Sequence, residues 1–478
     1  MRAPLPLLAL TALALTALGL TATGCAVGPN YHTPAAPADA SGPFVSATGP
    51  ATTADAPPAD WWRLYQDPVL DNLVQQALVE NTDLKVAAAN LAYAQALTSE
   101  ARAGLFPTTT LSAGDTYGKI APVTKAQTTY EAGFVAAYQV DLFGRIRRGI
   151  EAAKAGAQAA QAAENAVRVT VAAETAGAYA NACAYGEEAQ VARRSLEMTQ
   201  QTYDILIKQR TLGAVSDLDV AREATLLDQA RAAVPGLEGQ RRSALFELAV
   251  LTGKPPADIS AEAAGCVTPP RLSQAIPVGD GAALLRRRPD VRESERQLAA
   301  ATARIGVAAA DLYPTVSLGG SVSTAASRIS GLGRSASTSF SVGPLITWSF
   351  PNILVARAHV KESSAQASAA LASFDGTMLT ALKETEQALT TYQAELQRHA
   401  ALASAQGHAA EAYRLAQSQY RLGAISFLDL LTAEAASIGA DQALASSDQL
   451  LSADQVAVFQ ALGGGWQDAP KVTPPKAG

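Results

Sequence analysis

The fold is decided by residues 145–210, which read RIRRGIEAAKAGAQAAQAAENAVRVTVAAETAGAYANACAYGEEAQVARRSLEMTQQTYDILIKQR. This stretch contains no proline and is rich in Ala, Gln, Glu and Arg, which lose little side-chain freedom in a helix. It therefore predicts one unbroken helix, roughly 100 Å long at about 1.5 Å per residue. A second run, residues 353–421, predicts another helix of this kind. Two such helices must pack lengthwise against further elements.

The chain repeats itself around these two helices. The segment AGLFP at residues 103–107 resembles ADLYP at 310–314, and LGAVS at 212–216 resembles LGAIS at 422–426. Internal similarity of this kind indicates a duplicated structural unit. We predict two structural repeats, residues 61–270 and 271–466, followed by a C-terminal tail at 467–478.

The sequence predicts the same order of secondary-structure elements in each repeat. A helix of moderate length ends before a proline, two strands follow, and the long helix comes next. The long helix ends at Leu-Gly-Ala, where glycine suits a C-cap, and a return helix begins after Ser216 or Ser426 as N-cap. The predicted moderate and return helices are 83–103, 290–312, 217–251 and 427–462. Pro235 lies inside the first return helix, so we predict a bend or break near Val234 in that repeat alone.

The N-terminal sequence indicates that the protein is exported from the cytoplasm. Residues 1–24 have one early Arg2 and then an apolar core, which is typical of a signal peptide, and ATGC at residues 22–25 resembles a bacterial lipobox. We predict that Cys25 is lipidated and that residues 25–60 form an extended tether, since they are rich in Pro, Ala, Thr and Ser. The alternative is ordinary signal cleavage, with Cys25 an incidental thiol.

Composition excludes several function classes. The chain has 478 residues and a formal net charge of −6, so nucleic acid is not expected as a partner. Cys183 and Cys266 are the two cysteines besides Cys25; two exported thiols could pair, but their different contexts argue against a disulfide. The four histidines lack metal-ligand spacing. No Ser-His-Asp grouping, phosphate-binding loop or close carboxylate pair is apparent, so we expect neither catalysis nor a cofactor. No run after residue 25 is long and apolar enough for a transmembrane helix.

Residues 129–143 alternate between two faces. Tyr130, Phe134 and Tyr138 lie on an apolar face, and the residues between them are mostly small or polar. The alternation recurs in residues 315–323 and 339–342, which predicts strands. Such strands occur in soluble sheets and in membrane barrels. Their length of about ten residues, the export signal and a polar face of Ser, Thr and Gly favour a membrane barrel.

Four strands per chain cannot close a barrel, and an open edge is not tolerated in lipid. A dimer would supply eight strands, whose interior is filled by side chains, whereas a trimer would supply twelve and leave room for a pore. A closed barrel must therefore be assembled from several chains. Small residues on two faces of each long helix favour a hollow helical wall over a solid coiled coil. The predicted fold class is a mixed α and β membrane protein, with a long α-helical barrel and a transmembrane β-barrel.

Several motifs resemble those of bacterial outer-membrane factors of the TolC and OprM kind, and most of all their NodT-type lipoprotein branch. These motifs are CAVGPNYHTP from Cys25, DLFGRIRR at 141–148, LLRRRPDV ending at Val291, DLYPTVSLG at 311–319 and ALGGGW ending at Trp466. Together they span most of the chain after Cys25. The resemblance implies a trimeric, passive efflux duct through periplasm and outer membrane, with a periplasmic adaptor protein and an inner-membrane pump of the resistance-nodulation-division type as partners.

The resemblance also places the two helix-turn-helix tips at the periplasmic end, where the adaptor docks. By position these tips are Leu212, Gly213 and Ala214 in the first repeat and Leu422, Gly423 and Ala424 in the second. The glycines would serve as helix caps as well.

Asp217, Asp219 and Asp429 follow the tips, and in a trimer each would form a ring of carboxylates that favours cations. They are candidates for a periplasmic gate, with N-capping and surface solvation as alternative roles. The alternative functions of the whole chain are a protein-secretion duct and a non-conducting trimeric stalk or adhesin.

Overall fold

The computed structural model describes residues 26–35, 40–119, 125–350 and 353–475. The predicted signal peptide and Cys25 lie outside these residues. The described chain divides into two units. The sheet unit contains Leu91–Gln161 and Glu293–Asp375, with the segment before Ala35. The helical unit contains Ala35–Asn90, Ala162–Arg292 and the chain after Asp375.

The secondary structure agrees closely with the sequence-based assignment. In chain order the elements are β1 Thr52–Thr53, α1 Pro68–Glu80, α2 Thr82–Ala103, β2 Thr108–Gly118, β3 Gln127–Val140, α3 Arg145–Thr211, α4 Asp217–Leu251, α5 Ala261–Gly265, β4 Ile276–Pro277, α6 Gly281–Arg287, α7 Pro289–Ala310, β5 Thr315–Ala326, β6 Thr338–Thr347, α8 Ile353–Arg421 and α9 Phe427–Ala461. The long helices α3 and α8 have 67 and 69 residues. No helix in the described residues is both long and apolar enough to cross a membrane.

The sheet unit contains a four-stranded antiparallel sheet with the order β2-β3-β5-β6. The pairing places one apolar row across all four strands: Leu111 lies opposite Phe134, Phe134 opposite Val322, and Val322 opposite Phe340. The next row is polar, because side chains alternate between the two faces of a strand. In that row Ser323 and Ser339 share a hydrogen bond of 2.9 Å. The predicted alternation therefore places apolar and polar residues on opposite faces.

Residues 26–34 pack onto the strands and helices of their own unit, the sheet unit. The amide of Val27 donates to the carbonyl of Phe143 at 3.1 Å, and the Arg148 side chain donates to Asn30 Oδ1 at 2.7 Å. Gly28 has a φ of +89°, and a Cβ there would lie 2.5 Å from the Cα of Gly306, so only glycine allows this approach. This segment of the predicted tether is therefore held by specific contacts.

The core of the helical unit forms around Trp61 and Trp62, which belong to a short 3₁₀ helix. Trp61 is buried and stacks on Phe459 with 4.7 Å between ring centroids. The indole of Trp62 donates to Asp71 Oδ1 at 3.0 Å, which satisfies its polar edge. Alanines of α3 fill the same core, because their small side chains let helices approach closely.

The arginine run before α7 stabilises the end of α9. Arg288 donates to the carbonyl of Ala461 at 3.0 Å and also pairs with Asp290 at 2.6 Å. The neighbouring Arg287 donates to the carbonyl of Leu462 at 2.8 Å. Cations at a helix C-terminus satisfy carbonyls that have no partner in the helix and oppose its dipole. The motifs RRRPD and ALGGGW thus meet in one structural contact.

The expectation that Cys183 and Cys266 do not pair is wrong. They form a disulfide with Cα atoms 4.8 Å apart. Cys183 is fully buried on α3, and Cys266 follows α5. The chain between them includes the return helix α4, which brings the α5 segment back beside α3. Different sequence contexts could not reveal this approach, because it arises from the packing of α4 along α3.

Of the bend or break predicted near Val234, the break does not occur. Helix α4 is continuous from Asp217 to Leu251 with Pro235 inside it. Proline removes one amide donor and leaves the carbonyl of residue i−4, here Arg231, without its usual partner. Both Arg231 and Pro235 are exposed. Water can therefore donate a hydrogen bond to the carbonyl of Arg231, and the helix continues.

Candidate functional site

The two tips predicted as docking sites have the same backbone structure. In the first, the amide of Gly213 donates to the carbonyl of Arg210 at 2.9 Å and that of Ala214 to Gln209 at 3.0 Å. In the second, Gly423 donates to Tyr420 and Ala424 to Gln419, both at 2.9 Å. This is the Schellman pattern that ends a helix on a left-handed residue. Both glycines have a φ of +72°, which confirms their predicted role as C-caps.

The tips present apolar side chains to solvent. Leu212 is 83% exposed and Leu422 is 82% exposed. A Cβ built on Gly213 or Gly423 would meet no atom within 4 Å. Exposed apolar patches commonly mark surfaces that bind other proteins. The backbone of each tip is therefore held by its own helices, while its side chains remain free to contact a partner.

A capping box begins each return helix. The amide of Asp219 donates to Ser216 Oγ at 3.2 Å, and the amide of Ser216 donates to Asp219 Oδ2 at 3.3 Å. Asp429 and Ser426 form the same reciprocal pair at 3.3 and 3.0 Å. Hydrogen bonds from Ser426 hold the pKa of Asp429 below its ordinary value. The N-capping role considered for Asp219 and Asp429 is confirmed.

Asp217 differs from the other two candidate gate residues. Its side chain is exposed and pairs with Arg210, with 2.5 Å between Oδ1 and Nε. The contact joins the end of α3 to the start of α4 across the tip. Asp217 thus carries its charge on the tip surface, whereas Asp219 and Asp429 use theirs to close a helix.

The two hairpins pack against each other behind the tips. Leu206, Phe427 and Leu430 form a buried apolar cluster in the helical unit. Tyr420 lies edge-on to Phe427 with 5.9 Å between ring centroids, and its hydroxyl donates to Gln209 Oε1 at 2.9 Å. Because Gln209 belongs to α3 and Tyr420 to α8, this contact fixes one tip relative to the other.

A pair of buried glutamates lies beyond this cluster, although no close carboxylate pair was apparent in the sequence. Glu223 on α4 and Glu434 on α9 both have no exposed surface. The sequence held a signal, because each glutamate stands at helical spacing from buried apolar residues, Leu227 for Glu223 and Ile438 for Glu434. A carboxylate on the apolar stripe of a helix is unusual.

The described residues contain no group of three or more His, Cys, Asp or Glu side chains that could hold a metal ion. One cavity in the helical unit is lined by Arg288 and its ion-pair partners Asp290 and Glu384.

Comparison with known proteins identifies the family. The family model described as outer membrane efflux protein matches residues 73–254 and 282–464. This chain belongs to the outer membrane efflux protein family. Nodulation protein T of Rhizobium leguminosarum bv. viciae is 31% identical over 460 residues, which cover 95% of this chain and 93% of the relative. The toluene efflux pump outer membrane protein TtgC of Pseudomonas putida is 30% identical, with 93% of each chain covered.

Solved channels share the fold of this outer membrane efflux protein. The outer-membrane channel OprN superposes with a TM-score of 0.87 at 35% identity, covering 93% of this chain and all of OprN. The open state of the MtrE outer membrane channel of Neisseria gonorrhoeae gives 0.81 at 26% identity, covering 94% of this chain and all of MtrE. This outer membrane efflux protein is therefore a channel component of an efflux system and is located in the outer membrane. Its family consists of channel proteins.

Proposed function

We propose that three copies of this chain form a passive efflux duct. The observation that carries the proposal is the sheet. Its four strands have 10 to 14 residues, enough to cross a bilayer when tilted. Among the described residues, nothing pairs with the outer edges of β2 and β6. An open edge is unstable in lipid, so β6 of one chain would pair with β2 of the next to close a twelve-stranded barrel.

The apolar row that ends in Phe340 would then face lipid, and the serine row would face a water-filled lumen. The long helices α3 and α8, with their return helices, would line up side by side as a hollow helical barrel. We infer that the chain arose from two structural repeats, residues 61–270 and 271–466, because each supplies two strands and one helical hairpin.

The partners follow from the tips. We infer that a periplasmic adaptor protein docks on Leu212, Gly213 and Ala214 and on the equivalent Leu422, Gly423 and Ala424. An inner-membrane pump of the resistance-nodulation-division type would supply the energy, and the duct itself would need no cofactor and perform no catalysis. Relatives named for the efflux of toluene or antibiotics support small organic molecules as cargo. A lipid on Cys25 would anchor the chain in the outer membrane.

Bulky substitutions at the tip glycines test the docking site. We expect Gly213→Trp with Gly423→Trp to abolish solvent or drug resistance in cells that depend on this duct, while trimer yield stays normal. Gly213→Ala with Gly423→Ala is the matched control: it carries the same left-handed strain of about 1–2 kcal/mol per site, and its Cβ meets no atom within 4 Å. Full resistance in the tryptophan variant would remove the tips as the docking site.

We further propose that Asp217, Asp219 and Asp429 form a cation-attracting constriction in the trimer. Asparagine is the sharper substitution, because its side-chain oxygen retains a capping acceptor while the charge is removed. In planar bilayers we expect the triple Asn variant to lose cation selectivity and to pass less cation current, because an amide of similar size no longer attracts cations to the constriction. Asp228→Asn removes an exposed charge from the same helix and should change neither property. Unaltered selectivity in the triple variant would refute the constriction.

The alternatives differ from an efflux duct in measurable ways. A non-conducting stalk would show no single-channel conductance even after the triple Asn substitution. A protein-secretion duct would conduct, but its loss would leave the export of small molecules intact. Measuring both conductance and the retention of a fluorescent efflux substrate in deletion cells separates the three functions.

A further inference from the structure

Four residues form a polar layer at one level of the two hairpins: Thr202 on α3, Glu223 on α4, Tyr413 on α8 and Glu434 on α9. Each lies about ten residues from Gly213 or Gly423, which is about 15 Å along a helix. The apolar cluster of Leu206, Phe427 and Leu430 lies between this layer and the tips. All four helices therefore contribute to one polar layer, in which the two glutamates are buried and Thr202 and Tyr413 are partly buried.

The two glutamates in this layer have unequal partners. Glu434 accepts a hydrogen bond from the Thr202 hydroxyl, with 3.2 Å to Oε2. Neither carboxyl oxygen of Glu223 has a hydrogen-bond partner among the described residues, and the side chain has no exposed surface. An ionised carboxylate in such a place would lose its hydration without compensation, and a carboxyl group so placed takes up a proton instead.

The surrounding groups do not supply a counter-charge. In the described chain, the groups that act on the pKa of Glu223 or Glu434 are the other glutamate and Thr202. From α8 the titratable neighbour is Tyr413, whose own pKa is raised by burial and by both glutamates. Burial, followed by the charge of Glu434, raises the pKa of Glu223 to about 8. Burial raises the pKa of Glu434 to about 7, against the hydrogen bond from Thr202.

We propose that Glu223 and Glu434 form a proton-binding pair whose ionisation loosens the packing of the two hairpins behind the tips. The folded hairpins bind more protons than the opened ones at neutral pH, so their stability falls as the pH rises from about 4.5 through about 8. Below this range the pair is neutral and the layer is stable. Any effect of this ionisation on adaptor docking at the tips rests on the proposed function, whereas the proton site itself does not.

Hydrogen exchange of the full-length protein in detergent tests this directly. We expect amides in peptides that contain Thr202, Glu223, Tyr413 or Glu434 to lose protection roughly tenfold or more between about pH 6 and about pH 8, after correction for intrinsic exchange. Glu223→Gln and Glu434→Gln, alone and together, should remove this dependence, since glutamine has a similar shape and no charge. Glu197→Gln replaces an exposed glutamate on α3 and should keep it.

Three outcomes overturn the proposal. The first is protection in the unmodified protein that stays flat over this pH range, and the second is a double Gln variant that retains the full dependence. The third is added Mg²⁺ or Na⁺ that restores protection at high pH in the unmodified protein alone, which would make the pair a cation site. If a Gln variant fails to assemble, infrared difference spectra of the unmodified protein test the same point. A protonated-carboxyl band that is already absent at about pH 5, or that is still present above about pH 9, would contradict proton binding by Glu223 and Glu434 near neutral pH. These measurements need no adaptor or pump, so a failed docking test leaves them intact.

Discussion

Removing the Cys183–Cys266 disulfide gives the most quantitative test of the helical unit. The bond has a sequence separation of 83. Closing a loop of this length lowers the entropy of the unfolded chain, which corresponds to roughly 4–5 kcal/mol at 25 °C in the chain-entropy model. We expect Cys183→Ala with Cys266→Ala to lose up to about this much free energy of unfolding. Alanine is preferred to serine at position 183, because a buried hydroxyl would add an unsatisfied polar group.

Other contacts hold the same segment when the bond is absent. Arg241 donates to the carbonyl of Cys266 at 2.9 Å and also to that of Ala264. The segment should therefore still dock in the variant, and the effect should appear in the unfolding midpoint and not in the folded structure. Urea unfolding followed by the fluorescence of the buried Trp61 and Trp62 measures it. A reducing agent should lower the midpoint of the unmodified protein and leave that of the double variant unchanged.

Two results would refute this reasoning. The first is mass spectrometry of unreduced protein that finds Cys183 and Cys266 in separate alkylated peptides, which would show that the bond is absent. The second is unfolding of the double variant and the unmodified protein at the same urea concentration with the same slope. In that case the cross-link does not constrain the unfolded chain as the loop length requires.

Three further predictions concern the sheet and the helical unit. Phe340→Lys should destabilise the proposed membrane-inserted trimer by about 2–4 kcal/mol per chain, whereas Ser341→Lys on the opposite face should have little effect. Equal trimer yields on unheated gels would contradict the proposal that Phe340 faces lipid. Pro235→Ala should raise the thermal midpoint, because it restores one helix hydrogen bond and removes the clash of the proline ring, which together contribute up to about 3 kcal/mol. An unchanged midpoint would show that the helix accommodates the proline without cost. Burial, and then the charge of Glu395, raises the pKa of Asp454 to about 6. The stability that the neutral Asp454 side chain provides is thus lost as the pH rises through about 6. Asp454→Asn should therefore flatten the pH dependence of the urea midpoint near this pH. A variant whose urea midpoint changes with pH as steeply as that of the unmodified protein would refute this prediction.

Local sequence patterns predicted most of the secondary structure. Helix α4 begins and ends where its cap and periodicity place it, at Asp217 and Leu251. Ser216 forms the predicted cap with Asp219. Capping, helix propensity and strand alternation act over a few residues, so they can be read without knowing the fold. The tip glycines belong to the same class, because a left-handed residue after a long helix is a local requirement.

Contacts between distant parts of the chain depend on the tertiary structure. The order β2-β3-β5-β6 joins the hairpins of the two halves through β3 and β5. No local pattern specifies that neighbour, because either edge of a hairpin offers the same hydrogen-bonding groups. Continuity of α4 through Pro235 likewise depends on solvent access at one face of the helix.

The amino-acid sequence by itself determined the two long helices, their caps, the alternating strands and the apolar tips, since each follows from the preferences of neighbouring residues. Only the tertiary structure brought Cys183 to Cys266 and set Glu223 and Glu434 in one buried layer. A thiol or a carboxyl carries no local sign of its future partner. Its chemistry is decided when helices pack and water is removed, and packing joins residues that the chain keeps far apart.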